Sequence, residues 1–530
     1  MTLLHRNRKF FLVLVLLLAS FAGGAAPAAL APVPPVSVDS ITPTELRMHL
    51  EFLASPELGG RYTLSPNFAI AARYLAAHLE AYGFRGAGDN GGFLQHFNVI
   101  SSKPDTEKSS LSITSKEQTA DYHVGDFYPM GGGDGKAEGQ IVFVGAGISS
   151  PSQHHDDYAK LDVKGKIVLV TNVTPSGIDP SRLQRGESGE RAAFNHGAAA
   201  VLQVPSQRFV GFMKSPGFKE RFAGREGVHL AKEEAERLPV LLLSPELADK
   251  LLASVALSMK QVQDAEKDHT SLTPKATDSS ARITTVFQQR EVTTQNVVGV
   301  LEGSDPKLKD EYVVFSAHYD HLQTNAEGQI YPGADDDGSG TSAILTIAHA
   351  MSIDRPKRSV LIIFHAGEEL GLLGSEYNTD YSPVVPLDKV IADLNIDMIG
   401  RSKPPGDKEK LDVHLTDPNT VYLVGSDRIS KELHHISEQT NSQYQRLKLD
   451  YYYNDPANPE RIYFRSDHWN YAKHGIPVIF YFDGTHVDYH KPTDTIDKID
   501  FTKMTNVTRL VFETGWRLAN LDHRLTKDTN

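Results

Sequence analysis

From residue 295 onwards the sequence alternates between short apolar runs and helical stretches, and this alternation restricts the fold more than any other feature. Residues 296–301, 312–317, 360–365, 389–396 and 477–482 read as strands apolar on both faces. Residues 339–351 read as a helix between two of them. A strand with two apolar faces must be covered twice, which predicts an α/β fold: a mostly parallel mixed sheet sandwiched by helices. Ligands of such sheets sit beyond the carboxyl ends of the strands. In this sequence the acids and imidazoles cluster there.

The remainder of the 530 residues divides by composition. That length exceeds what one hydrophobic core usually holds. Residues 1–24 read as a signal peptide: Arg6, Arg8 and Lys9 precede an unbroken apolar run over 10–18, and Ala22-Gly23-Gly24 allow cleavage before Ala25. The alternative is a membrane anchor, against which stands the Ala, Gly and Pro content of the second half of the uncharged stretch. Residues 25–42, rich in Pro and Ala over 25–38, read as a flexible linker, and Thr42-Pro43-Thr44-Glu45 as a helix start. A further helix is expected from Asn67 to Tyr82, stopped by Gly83. Residues 43–114 and 281–524 would form one domain. Residues 115–280, with short apolar strands over 140–145, 166–170 and 238–243 and a helix leading into a strand over 191–204, would form a smaller β-rich or α/β insertion.

The chain has no Cys, so it forms no disulfide, and a bound metal must be held by His and carboxylates. Export without disulfides points to a secreted or periplasmic bacterial protein, with no stable membrane association once the signal is cleaved. A net charge of −13 without a basic stripe argues against nucleic-acid binding.

Five places carry ionisable side chains at or just beyond strands: His318 and Asp320, Asp335-Asp336-Asp337, Glu368-Glu369, Asp397 and His490. Each has an ordinary structural reading. A lone His at a strand end is usually hydrogen-bonded, Asp beside Gly is usually a turn or helix cap, and paired Glu often complement a helix dipole. Asp397 is harder to dismiss, because a buried carboxylate costs several kcal/mol unless paired. Zinc accepts imidazole nitrogen and carboxylate oxygen. Two ions about 3.5–4 Å apart need a bridging carboxylate. Two His, two terminal carboxylates and one bridge are within the inventory offered.

The strings AHYDH, PGADDDGSGTS, FHAGEELGLLGSEY, LNIDMIG and DYHKPTDT, in this order and spacing, resemble the motifs of the two-zinc aminopeptidase and glutamate carboxypeptidase family. HLEFLASPELGGRYTLSPNFAIAARYLAAHLEAYGF resembles the N-terminal part of its secreted members, and the 115–280 region resembles the protease-associated domain inserted in such enzymes. The resemblance implies that His318 and Asp397 hold one zinc, that Glu369 and His490 hold the other, and that Asp336 bridges them, with a cis peptide between Asp336 and Asp337. It further implies Glu368 as the general base that activates a water between the ions, Asp320 as the group holding the second ring nitrogen of His318, and Tyr489 as an oxyanion donor. The chain departs from the common Asn-Asp-Asn pattern in having Asp335 and Asp337 around the bridge.

The implied activity is zinc-dependent hydrolysis of peptides, releasing N-terminal residues. Alternatives are a carboxypeptidase or dipeptidase of the same family, with Arg465 available for a substrate carboxylate; a cyclising acyltransferase using one zinc; and a non-catalytic binding protein. The side-chain preference and the oligomeric state are left open.

Overall fold

The structure, a computed structural model, describes residues 30–528 except 131–132, 181–182, 184–185, 216–217, 219–221, 223–224, 233–236, 326 and 456–457. The expected signal peptide and the first residues of the expected linker lie outside the described residues. Among the described residues no helix is long and apolar enough to cross a membrane.

A ten-stranded sheet organises the larger unit. Its centre is four parallel strands in the order Ser359–His365, Tyr312–His318, Val390–Ile396 and Val478–Phe482. Every residue of three of these is buried, and only Tyr312 of the fourth is partly open. Their apolar residues therefore face helices on both sides. Val313, Phe315 and Ala317 pack with the helices Pro43–Leu53, Phe68–Ala81, Gly338–Ile353 and Phe501–Asn520. Val314, Leu361 and Phe480 pack on the opposite face with Tyr463 and Tyr471. The strand Phe287–Leu301, which contains the apolar run 296–301, runs antiparallel to Ser359–His365, and Thr420–Val424 runs antiparallel to Val478–Phe482.

Local signals account for the helix boundaries. Thr42 caps Pro43–Leu53, its hydroxyl accepting from the Glu45 amide at 3.2 Å, with Pro43 at the first helical position. Phe68–Ala81 ends before Gly83, whose φ of 80° terminates the turn. One expectation is corrected. Part of the supposed flexible linker is a helix, Pro35–Ser40. Val33 and Ile41 are buried beside it, Ser37 donates to Asp354 at 2.9 Å, and the Trp516 indole donates to the Pro32 carbonyl at 3.0 Å. Apolar anchors on either side of the Pro-rich segment tie it to the core.

A second, eight-stranded sheet begins at Ser110 and ends at Thr285. It has its own core, with Leu169, Leu202 and Leu243 packed against the helices Pro245–Ala253 and Met259–Asp268. Leu94–Pro104 pairs along its whole length with residues 287–297 of Phe287–Leu301, and the two strands carry the chain out of the larger sheet and back. The sequence expectation of a self-contained 115–280 segment misses one crossing: Gly227–Leu230 leaves the second unit and pairs with Leu94–Pro104 at the edge of the larger sheet.

Candidate active site

His318 ends the strand Tyr312–His318, and its ring is buried. Nδ1 lies 3.1 Å from the backbone carbonyl of Asp320. A carbonyl only accepts, so Nδ1 donates to it and Nε2 is the ring nitrogen turned into the site. That nitrogen faces three acids: Asp336 Oδ1 at 3.3 Å, Asp397 Oδ1 at 3.6 Å and Glu368 Oε2 at 3.9 Å. The expected role of Asp320 changes in detail, because its carboxylate is 3.7 Å from Nδ1. It accepts instead from the Thr63 hydroxyl at 2.8 Å and from the Glu368 amide at 3.2 Å. Asp320 thus joins the end of one strand to the loop after the next.

The triple Asp precedes the helix Gly338–Ile353, and its members divide the work. Asp337 caps the helix, accepting from the Gly340 amide at 2.8 Å, and also accepts from the Met398 amide at 3.2 Å. Asp335 accepts from the Gly400 amide at 2.6 Å and lies 3.2 Å from His486. The amides of Asp335 and Asp336 both donate to Asp494, at 3.0 and 3.2 Å. Only the Asp336 side chain is left for the site. The Asp336–Asp337 peptide is cis. Glycines make room for this turn: a Cβ on Gly333 would lie 2.6 Å from the His321 ring, and one on Gly340 2.4 Å from Asp337.

Glu368 and Glu369 follow the strand Ser359–His365 in a loop pinned by Asn296. The Asn296 side chain accepts from the Ala366 amide and donates to the Gly374 carbonyl, both at 2.9 Å. Glu369 places one oxygen 3.0 Å from His490 Nε2 and the other 2.7 Å from His321 Nδ1. His490 Nε2 is also 3.1 Å from Asp336 Oδ2. Asp336 therefore turns one oxygen toward His318 and the other toward His490. Tyr489 stacks on the His490 ring, with centroids 3.9 Å apart. The structure thus brings His318, Asp320, Asp336, Glu368, Glu369, Asp397, Tyr489 and His490 to one end of the central strands.

Two groups suited to a metal ion stand out: His318 with Asp337 and Asp397, and His321 with Asp336 and Glu369. The first includes Asp337 in place of Asp336. Because Asp337 is committed to two backbone amides, Asp336 is the better donor on physical grounds. The second includes His321, which sequence reasoning passed over although it closes the string AHYDH. Arg61 was missed as well. It is fully buried, and its guanidinium donates to the carbonyls of Leu53, Tyr319, Pro332 and Gly333, fastening the loops on both sides of the site. The signal for it was an Arg directly after Gly59-Gly60.

The electrostatics are those of a crowded carboxylate cluster. Burial alone would lower the His318 imidazole, but the charges of Glu368 and Asp397 raise it well above its usual value. Burial would raise Asp336, yet His321, His318 and His490 hold it well below the usual carboxylate range. His490 is raised to about 10: burial opposes this, and Asp336 and Glu369 outweigh it. Glu368 is pushed well up by burial, with His318 opposing and Glu369 and Asp397 adding to the rise. Asp337 is pushed well up by burial, with Asp397 adding to the rise. Beside Glu368 and Asp397 opens a pocket walled by Met398, Ile462, Phe480 and Phe482, with Arg465, Thr485 and Tyr489 at its polar side. A larger cavity, about 780 Å³, lies between the two units and away from this cluster.

Fold and site together define an α/β protein with a carboxylate–imidazole centre at the carboxyl ends of parallel strands. Residues 296–515 match the model of peptidase family M28. The match is supported by aminopeptidase YwaD of Bacillus subtilis strain 168, 32% identical over 140 residues, or 26% of this chain and 29% of that protein. A probable leucine aminopeptidase of Arthroderma otae is 31% identical over 225 residues, 40% of this chain and 56% of that protein. The chain thus spans between about a third and about half of the length of these relatives. The structure of an aminopeptidase from Aneurinibacillus sp. strain AM-1 superposes with a TM-score of 0.53 at 19% identity, covering 93% of this chain and 97% of that one, which shows the shared fold.

Proposed function

We propose that the chain is a zinc-dependent exopeptidase that releases N-terminal amino acids from peptides. The observation that carries this reading is Asp336, with one carboxylate oxygen 3.3 Å from His318 and the other 3.1 Å from His490. A carboxylate between two imidazoles, each with a further acid, fits a pair of divalent ions. His318 Nε2, His490 Nε2 and Asp336 Oδ2 approach the neighbouring acids and imidazoles only at ion-pair distances and make no well-directed hydrogen bond, although buried polar atoms ordinarily do. The donor set is nitrogen and oxygen only, as zinc accepts. His318 and Asp397 would hold one ion, Glu369 and His490 the other, and Asp336 both.

Zinc, when bound, supplies Lewis-acid polarisation of a carbonyl and acidifies water. The chain's own residues do the rest. Glu368, raised by burial and tied through its amide to Asp320, accepts a proton from the attacking water and passes it to the leaving amine. Burial first, with Asp336 and Glu369 adding, raises the Tyr489 phenol, which therefore keeps its proton and can donate to the developing oxyanion. His321 holds the outer oxygen of Glu369. The apolar walls Met398, Ile462, Phe480 and Phe482 favour an apolar portion of the terminal residue. Export to the periplasm or beyond, and the inserted unit as a protease-associated domain, belong to the same reading.

The test is hydrolysis of aminoacyl-anilides and short peptides by the purified full chain, before and after chelation and zinc return. Free N-terminal residues should appear, vanish with chelator and return with about two zinc equivalents per chain. A zinc-loaded protein that cleaves none of these substrates would overturn the reading.

A further inference from the structure

Arg465 follows the turn Ile462–Phe464 and reaches the pocket that holds Asp336, Glu368 and Asp397. Its Nη2 donates to the Tyr489 hydroxyl at 3.5 Å, and among the described residues no carboxylate pairs with it. Other arginines nearby are differently engaged. Arg401 is paired with Asp488 at 2.8 Å, and Arg428 lies over the Tyr463 ring at 4.1 Å. Arg465 is thus a cation at the mouth of the small pocket beside Asp336, Glu368 and Asp397, held there by a single weak contact among the described residues.

We propose that Arg465 binds a carboxylate of the substrate, a specificity that rests on the exopeptidase reading and narrows it. A guanidinium presents a planar fork matched to a carboxylate. The adjoining walls of Ile462, Phe480 and Phe482 keep that contact from being fully screened by water. Tyr489 stacks on His490 and its hydroxyl accepts from Arg465 at 3.5 Å, so the guanidinium lies within about two residues' span of a carbonyl that Tyr489 would contact, at roughly 3.5 Å per extended residue. Two substrate carboxylates lie at that reach: the acidic side chain of the released residue, and the free C-terminus of a dipeptide.

The experiment compares kcat/KM within two pairs, glutamyl- against glutaminyl-anilide, and a dipeptide against its amide, for the zinc-loaded wild type, Arg465→Gln and Arg465→Lys. The carboxylate-bearing member of one pair should be preferred by roughly tenfold to a hundredfold, the pair identifying which carboxylate is bound. Arg465→Gln should bring that ratio near one, and Arg465→Lys should keep part of it. A merely structural Arg465 would lower both members equally. Wild-type ratios within twofold in both pairs, or a ratio unchanged in Arg465→Gln, overturn the proposal while leaving the exopeptidase reading intact. If none of the four compounds is cleaved, the exopeptidase reading fails, and calorimetric Kd values for the same four compounds decide the role of Arg465 by the same ratios.

Discussion

Both sheets of this molecule bury parallel strands, and in both a cleft opens beyond the carboxyl ends. What those ends deliver differs. In the smaller sheet, Ile167–Val170 leads to Thr171 and Asn172, and Ala200–Gln203 ends in Gln203. These neutral groups satisfy one another and the backbone. Gln203 donates to Asn172 at 3.0 Å, Asn172 to the Val204 carbonyl at 3.3 Å, and Thr171 to the Gly145 carbonyl at 3.0 Å. In the larger sheet the ends deliver His318, Glu368, Glu369 and Asp397, and His318 Nε2 and the nearby Asp336 Oδ2 and His490 Nε2 make no well-directed hydrogen bond. Topology makes a cleft in each unit. Only the crowded ionisable side chains make one of them a candidate reaction centre, and the size of a cavity does not reveal which.

The strongest test of that contrast is Glu368→Gln. General acid–base catalysis contributes about 10²- to 10⁴-fold, so kcat on an aminoacyl-anilide should fall by that order while zinc content is unchanged. A variant with wild-type turnover would remove Glu368 from the role and weaken the distinction between the two clefts. Metal removal comes next. The acids around Asp336 repel one another without cations, and a ligand at about a thousand times its Kd stabilises by about 4 kcal/mol. Chelation should therefore lower the melting temperature of the wild type by on the order of 10 °C. It should leave Asp336→Asn nearly unmoved, because that variant has little metal to lose. A chelator-insensitive wild type would break the comparison.

The larger sheet also carries a buried acid remote from the expected ligands. Asp393, on the strand that ends before Asp397, accepts from the Ser316 hydroxyl at 2.7 Å and has its other oxygen unpartnered. Burial raises it to about 8, against an ordinary value of 3.8. Below pH 3.8 both folded and unfolded chains hold the proton. Between there and about 8 only the unfolded chain ionises, so stability falls as pH rises, by about 1.4 kcal/mol per unit at most, and then levels off. Asp393→Asn cannot ionise. Its melting temperature should gain on the wild type by several degrees between pH 5 and pH 9, and a gap that stays constant would show that Asp393 is not held neutral.

How much of this could be read from the sequence depended on how local the signal was. The central strands were legible because strands covered on both faces are continuously apolar, and the site because strand order brings their ends together. Arg61, His321 and Asp494 were not, since their importance lies in contacts with loops distant in the chain. Arg61 meets carbonyls at positions 332 and 333, and Asp494 meets amides at 335 and 336. The helix Pro35–Ser40 was hidden because composition speaks for flexibility while Val33 and Ile41 find a core formed by residues hundreds of positions away. The crossing of Gly227–Leu230 into the larger sheet was invisible for the same reason, as a four-residue edge strand carries almost no pattern.

The smallest effect belongs to the smaller sheet. Asn172→Ala with Gln203→Ala removes the side-chain hydrogen bonds at its strand ends without touching any group of the reaction centre. Each such bond contributes about 1 kcal/mol, so the melting temperature should drop by a few degrees. The kcat on an aminoacyl-anilide should stay within about threefold, because a satisfied neutral network has no reactive atom to lose. The comparison of wild type and double variant by anilide kinetics and thermal melting checks both halves. The cavity beside these residues also touches Leu372, three positions beyond Glu369, so it adjoins the loop that carries Glu368 and Glu369. A fall in kcat far larger than the loss of stability would mean that the second cleft steers that loop, and the two units would then have to be described as one catalytic body.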